Sequence, residues 1–117
     1  MTNVVCLLVT AGELKGHKYF VKSKEPILVG RSEEANIKIT NDEFCSRKHA
    51  SIFWENNQCC ISDLKSTNGT CVNDVEITKA VLKNGDIVRI GGTELKVAIK
   101  AVSKKAAHAE DDIRYED

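Results

Sequence analysis

Three short stretches of this chain hold side chains able to do chemistry: Gly30-Arg31, Ser46-Arg47-Lys48-His49 and Ser66-Thr67-Asn68-Gly69. Two kinds of chemistry suit those types. An arginine guanidinium is a planar fork of donors that matches phosphate oxygens bidentately, and serine or threonine hydroxyls add single donors. No carboxylate belongs to the set Arg31, Ser46 and Thr67. A pocket built from them would therefore want a multiply charged anion with several acceptor oxygens, and a phosphoryl group qualifies. The second chemistry is nucleophilic, because Ser46, His49 and Asp63 have the residue types of a hydrolase triad. Ser46 and His49 fall in one loop, however, without a nucleophile elbow or an evident oxyanion hole, so binding is the better reading. A phosphatase would need a nucleophile or metal cluster that the sequence does not offer. A metal site on Cys45 and His49 lacks further ligands that can be named.

These residues must be positioned by strands. Val4–Val9, Lys18–Val21, Ile27–Val29, Ile37–Ile39, Ala50–Glu55, Cys59–Asp63, Thr70–Val72, Val75–Ile77, Asp86–Ile90 and Thr93–Val102 are short, valine- and isoleucine-rich, and in places alternate with period two. Polar turns separate them, and Gly91-Gly92 reads as a hairpin turn. Asn68-Gly69 and Asn84-Gly85 are strong turn dipeptides, so the chain is expected to reverse near Asn68 between an entering and a leaving strand. Loops near 32–36, 42–45 and 78–83 read as outer loops. Trp54 reads as core. No helical period precedes residue 103. Ten or eleven strands of this kind imply a two-sheet sandwich or a barrel. In a sandwich, loops gather at the ends of the sheets, and three loops at one end would place Arg31, Ser46 and Thr67 around one point.

Composition narrows the function further. The chain has 117 residues, with 17 Lys and Arg against 17 Asp and Glu, so no global field draws it to nucleic acid or to an anionic membrane. No apolar run approaches the roughly 18–20 residues of a membrane span, and Met1–Val9 lacks the basic region and cleavage site of a signal peptide. The five cysteines are odd in number and none form a CxxC pair, which suits free thiols in a reducing cytoplasm. Residues 1–102 are expected to form one domain. Residues 103–117, polar and ending in an acidic run, are expected to be a disordered tail.

The ordered set Gly30-Arg31, Ser46-Arg47-Lys48-His49-Ala50, Asp63-Leu64-Lys65-Ser66-Thr67-Asn68-Gly69-Thr70-Cys71-Val72-Asn73 and Leu82-Lys83-Asn84-Gly85-Asp86 resembles the forkhead-associated (FHA) domain, a phosphothreonine-recognition module. The resemblance covers about Val4 to Val102. It implies an all-β fold: an eleven-stranded β-sandwich of two twisted, mostly antiparallel sheets with recognition loops at one end. It also implies phosphate binding by Arg31, Ser46 and Thr67, and peptide binding by Arg47, Ser66 and Asn68. Gly30, His49, Gly69 and Asn73 would support the loops, with Asn73 also within reach of peptide on this reading. The implied partner is a threonine-phosphorylated protein or peptide downstream of a Ser/Thr kinase, bound by a monomer with no cofactor, no metal, no catalysis, no nucleic acid and no membrane insertion. The alternative is a phosphate-independent interaction scaffold with the same fold.

Overall fold

The computed structural model describes residues 2–22 and 25–102; residues 103–117, with the expected tail, lie outside the described part. Eleven strands follow in order: β1 (Thr2–Ala11), β2 (Lys18–Val21), β3 (Ile27–Gly30), β4 (Ile37–Lys38), β5 (Ala50–Glu55), β6 (Gln58–Asp63), β7 (Thr70–Val72), β8 (Val75–Ile77), β9 (Lys79–Val81), β10 (Ile87–Ile90) and β11 (Thr93–Val102). They form a six-stranded sheet, β2-β1-β11-β10-β7-β8, and a five-stranded sheet, β4-β3-β5-β6-β9. Every pair is antiparallel except β3–β4, which is parallel.

Period-two alternation builds the core. Val5, Leu7 and Val9 of β1 are buried together with Val88 and Ile90 of β10 and Leu95 and Val97 of β11. From the other sheet come Ile27 and Val29, Ile37, Ile52 and Ile61, all in one continuous cluster. Trp54 packs on the edge of this cluster and its indole N–H donates to the Val21 carbonyl at 3.1 Å. Two Asn-initiated turns, Asn56-Asn57 and Asn73-Asp74, have φ between +52° and +69° at both central residues, the left-handed geometry that matches strand twist in a two-residue hairpin.

One expectation is corrected. Residues 79–81 are a strand, not part of an outer loop: β9 pairs with β6 from Ser62–Lys79 to Cys60–Val81, and so leads away from the site end. Exposed Lys79 and Val81 flanking half-buried Ala80 had left too little apolar pattern to show it. Between β6 and β7 the chain reverses through Asn68-Gly69 as expected, with the entering strand ending at Asp63 and the leaving one starting at Thr70. β6 and β7 belong to different sheets, so this loop crosses the sandwich, and Lys65 and Gly69 take positive φ within it.

Candidate functional site

Register places the C-terminal ends of β3, β6 and β10 and the N-terminal ends of β5, β7 and β11 at one end of the sandwich. Three connections meet there: the start of the β3–β4 loop at Arg31, the β4–β5 loop (39–49), and the β6–β7 loop (64–69). Backbone bonds dock the first on the second, Arg31 N–H to the Ser46 carbonyl at 3.0 Å and Ser32 N–H to the Arg47 carbonyl at 2.9 Å. Gly30 makes this approach possible, since a Cβ there would lie 2.0 Å from the Arg47 carbonyl oxygen.

The side chains continue the lacing. Arg31 donates its Nε–H to the Cys45 carbonyl, which fixes the guanidinium and leaves its two Nη groups without a protein partner among the described residues. The Ser46 hydroxyl accepts from the Thr67 N–H at 3.0 Å, so its own proton stays available. Asn68 Nδ2 donates to the Phe44 carbonyl at 3.0 Å. Arg31, Ser46 and Thr67, far apart in sequence, are thus brought to one knot of loops, with Asn68 beside them. Arg47 is exposed on the same loop and Lys48 pairs with Glu34 at 3.5 Å.

His49 lies beneath. It is fully buried, accepts from the Ser46 N–H on Nδ1 at 2.9 Å, and meets the Gly69 carbonyl with Nε2 at 2.8 Å. Those partners require the Nε2–H tautomer. Neither ring nitrogen is bonded to the Ser46 hydroxyl, so Ser46, His49 and Asp63 do not form a hydrogen-bonded triad.

Asp63 organises the crossing loop instead. Its Oδ1 accepts from the Ser66 hydroxyl and, at 2.7 Å, from the Thr70 hydroxyl; its Oδ2 accepts from the Ser66 N–H at 3.1 Å. Burial alone would raise the Asp63 carboxyl, but the hydrogen bonds from Ser66 and Thr70 bring it below the ordinary range. The Ser66 hydroxyl donates to Asp63 and accepts from the Gly69 N–H at 2.9 Å, so its proton is engaged within the turn. Asn73 sits at the far end of β7, where its side chain bonds Asp86 Oδ1 and the Ile87 N–H, each at 3.0 Å. It secures the start of β10.

Phe44 was not singled out by the sequence. Phe44 is 57% exposed and lines a cleft of about 440 Å³ that it shares with Asn68, Gly69, Cys71, Arg89, Gly91 and Gly92. The signal was present, an aromatic residue in a polar loop two places before Ser46, but burial was needed to show that it faces water.

Residues 27–91 match the family model of the FHA domain. The chain belongs to the FHA-domain family. FHA domains are non-enzymatic interaction modules. Among curated relatives, FhaB of Mycobacterium tuberculosis is 35% identical over 92 residues, covering 78% of this chain and 58% of FhaB, so the chain spans under two thirds of that relative's length. A solved structure described as part of a structural and functional analysis of phosphothreonine-dependent FHA domain interactions superposes with a TM-score of 0.73 at 29% identity, over 85% of this chain and 99% of that one. EmbR of the same bacterium, solved in complex with a low-affinity phosphopeptide, gives a TM-score of 0.72 at 27% identity over 86% of this chain and 25% of EmbR.

Proposed function

We propose that this FHA domain, within residues 1–102, binds phosphothreonine in segments of partner proteins that a Ser/Thr kinase has modified. One observation carries the reading: the loops of Arg31, Ser46 and Thr67 are bonded to one another, while among the described residues the guanidinium Nη groups and the Ser46 proton have no partner. Arg31 then clamps two phosphate oxygens, Ser46 donates its hydroxyl, and Thr67 adds its side-chain hydroxyl. Asn68, at the mouth of the Phe44 cleft, exchanges its bond to the Phe44 carbonyl for the peptide main chain, with Arg47 beside it. Gly30, His49 and Gly69 hold the loops, and Ser66 acts with them. The domain binds without turning over its ligand, so an incubated phosphopeptide keeps its phosphate.

Each charge-assisted hydrogen bond is worth about 1.5–3 kcal/mol net. Three or four of them, less the ordering of a flexible peptide, set Kd near the micromolar range, ~1–10 μM. Calorimetry with a phosphothreonine peptide and its unmodified twin is the test. Wild type is expected to bind only the modified peptide, and Arg31→Ala to lose at least about 100-fold while keeping the β-sheet signal. A native partner that binds Arg31→Ala normally would instead establish the phosphate-independent scaffold. Five unpaired cysteines, three of them buried, support placement in a reducing cytoplasm. Among the described residues no helix is long and apolar enough to cross a membrane.

A further inference from the structure

The β4–β5 loop carries Phe44, Cys45 and Ser46, and its outer half is held by two carboxylates that take no part in the knot described above. Glu13, from the β1–β2 loop (12–17), accepts the Asn41 N–H on Oε1 at 2.7 Å and, on Oε2, the Thr40 hydroxyl at 2.9 Å and the Thr40 N–H at 3.3 Å. Asp42 accepts the Gly92 N–H on Oδ2 at 2.6 Å and the Phe44 N–H on Oδ1 at 2.9 Å. The seats are shaped for these contacts. Gly91, at φ +59°, leaves only 2.5 Å between a would-be Cβ and Asp42 Oδ2, and a Cβ on Gly12 would lie 2.9 Å from Thr93 Oγ1. Glu13, Gly12 and Gly92 all fall outside the 27–91 span matched by the family model.

We propose that Glu13 and Asp42 are positioning residues for phosphopeptide binding: they fasten the outer half of the Ser46 loop to the β1–β2 loop and the β10–β11 turn, so that Ser46 is in place before ligand arrives. This rests on the phosphothreonine reading of the same site. Cys45 is buried and both its backbone groups are engaged, its N–H with the Asp42 carbonyl and its carbonyl with Arg31. A loop so anchored at Thr40, Asn41, Asp42 and Cys45 has little room to move Ser46. Releasing the anchors lowers the fraction of molecules whose loop is competent, and apparent affinity falls by that fraction. Loss of a direct ligand contact acts mostly on dissociation. Loss of preorganisation acts on association, because the bound state keeps its contacts.

Stopped-flow binding of a fluorescent phosphothreonine peptide to the whole chain separates these effects. Glu13→Ala and Asp42→Ala are each expected to weaken binding about 5- to 20-fold, through a slower association rate, with dissociation unchanged within about twofold. Titration stoichiometry stays at one peptide per chain and the melting temperature stays within about 3 °C, which rules out simple unfolding. Glu13→Gln and Asp42→Asn, which keep one carbonyl acceptor, recover part of the rate. Wild-type association rates in both alanine variants would overturn the proposal while leaving the site reading intact, as would a loss confined to dissociation. Failure of the wild type itself to bind would overturn the phosphothreonine reading, and this proposal with it.

Discussion

Gly30 shows how much one hydrogen atom can decide. Its place in the chain gave a reader of the sequence only a strand ending in glycine, and the reason lies in the Arg47 carbonyl packed where a Cβ would stand. That oxygen belongs to backbone and also accepts the Ser32 N–H, so it has nowhere to go. Gly30→Ala is therefore expected to push the Arg31 loop off the Ser46 loop, costing about 1–3 kcal/mol of stability and most of the phosphopeptide affinity, as read by thermal melting and calorimetry. The acid response is also a matter of single groups. Phosphate gains its second charge with a pKa of about 6. Asp63 and Glu13 both ionise below the ordinary carboxylate range, Glu13 chiefly through the Asn41 N–H. A group whose pKa is depressed in the fold stabilises it fully above its unfolded value and loses that contribution progressively as pH falls from there through the folded value. At pH 5 the loop carboxylates thus remain charged while the ligand becomes a monoanion. Binding is expected to weaken between pH 7 and 5 with no change in melting temperature at pH 5 traceable to these loops, and equal affinity at both pH values would contradict this.

At the level of elements, the readable features were those with a local cause. Val5, Leu7 and Val9, or Leu95 and Val97, announce strands because alternate residues must leave water. The Asn56-Asn57 and Asn73-Asp74 turns were legible because asparagine and aspartate tolerate left-handed backbone. β9 was not, because an edge strand with exposed Lys79 and Val81 owes its existence to β6 rather than to its own pattern. The destination of the loop at Asn68 was hidden for a similar reason: whether β7 joins the sheet of β6 is settled by β10, far along the chain. That the loops of Arg31, Ser46 and Thr67 meet at one end could be read from the spacing of strands and turns, whereas the contacts of Glu13 depend on pairings that spacing does not encode. The Asn56-Asn57 hairpin invites a direct check. Asn57 holds φ +63°, a conformation glycine adopts without steric cost. Asn57→Gly should raise stability by about 0.3–0.8 kcal/mol, seen as an increase of about 2–4 °C in melting temperature.

The whole molecule carries equal numbers of acidic and basic side chains, so recognition has to be local. Exposed charges are screened beyond about 10 Å at 0.1 M salt. With no net field to steer it, the association rate for a phosphopeptide with uncharged flanks is expected to change less than about threefold between 20 and 200 mM salt. A steep fall would reveal a focused field that the balanced composition hides. The site also has a mechanical setting. Thr67 and Asn68 ride on the one connection from β6 to β7, which leaves the five-stranded sheet and enters the six-stranded one, while Arg31 and Ser46 both belong to the five-stranded side. A captured phosphate would act as a rivet across the seam between two layers, so any force or denaturant that pries the layers apart must first shear it out.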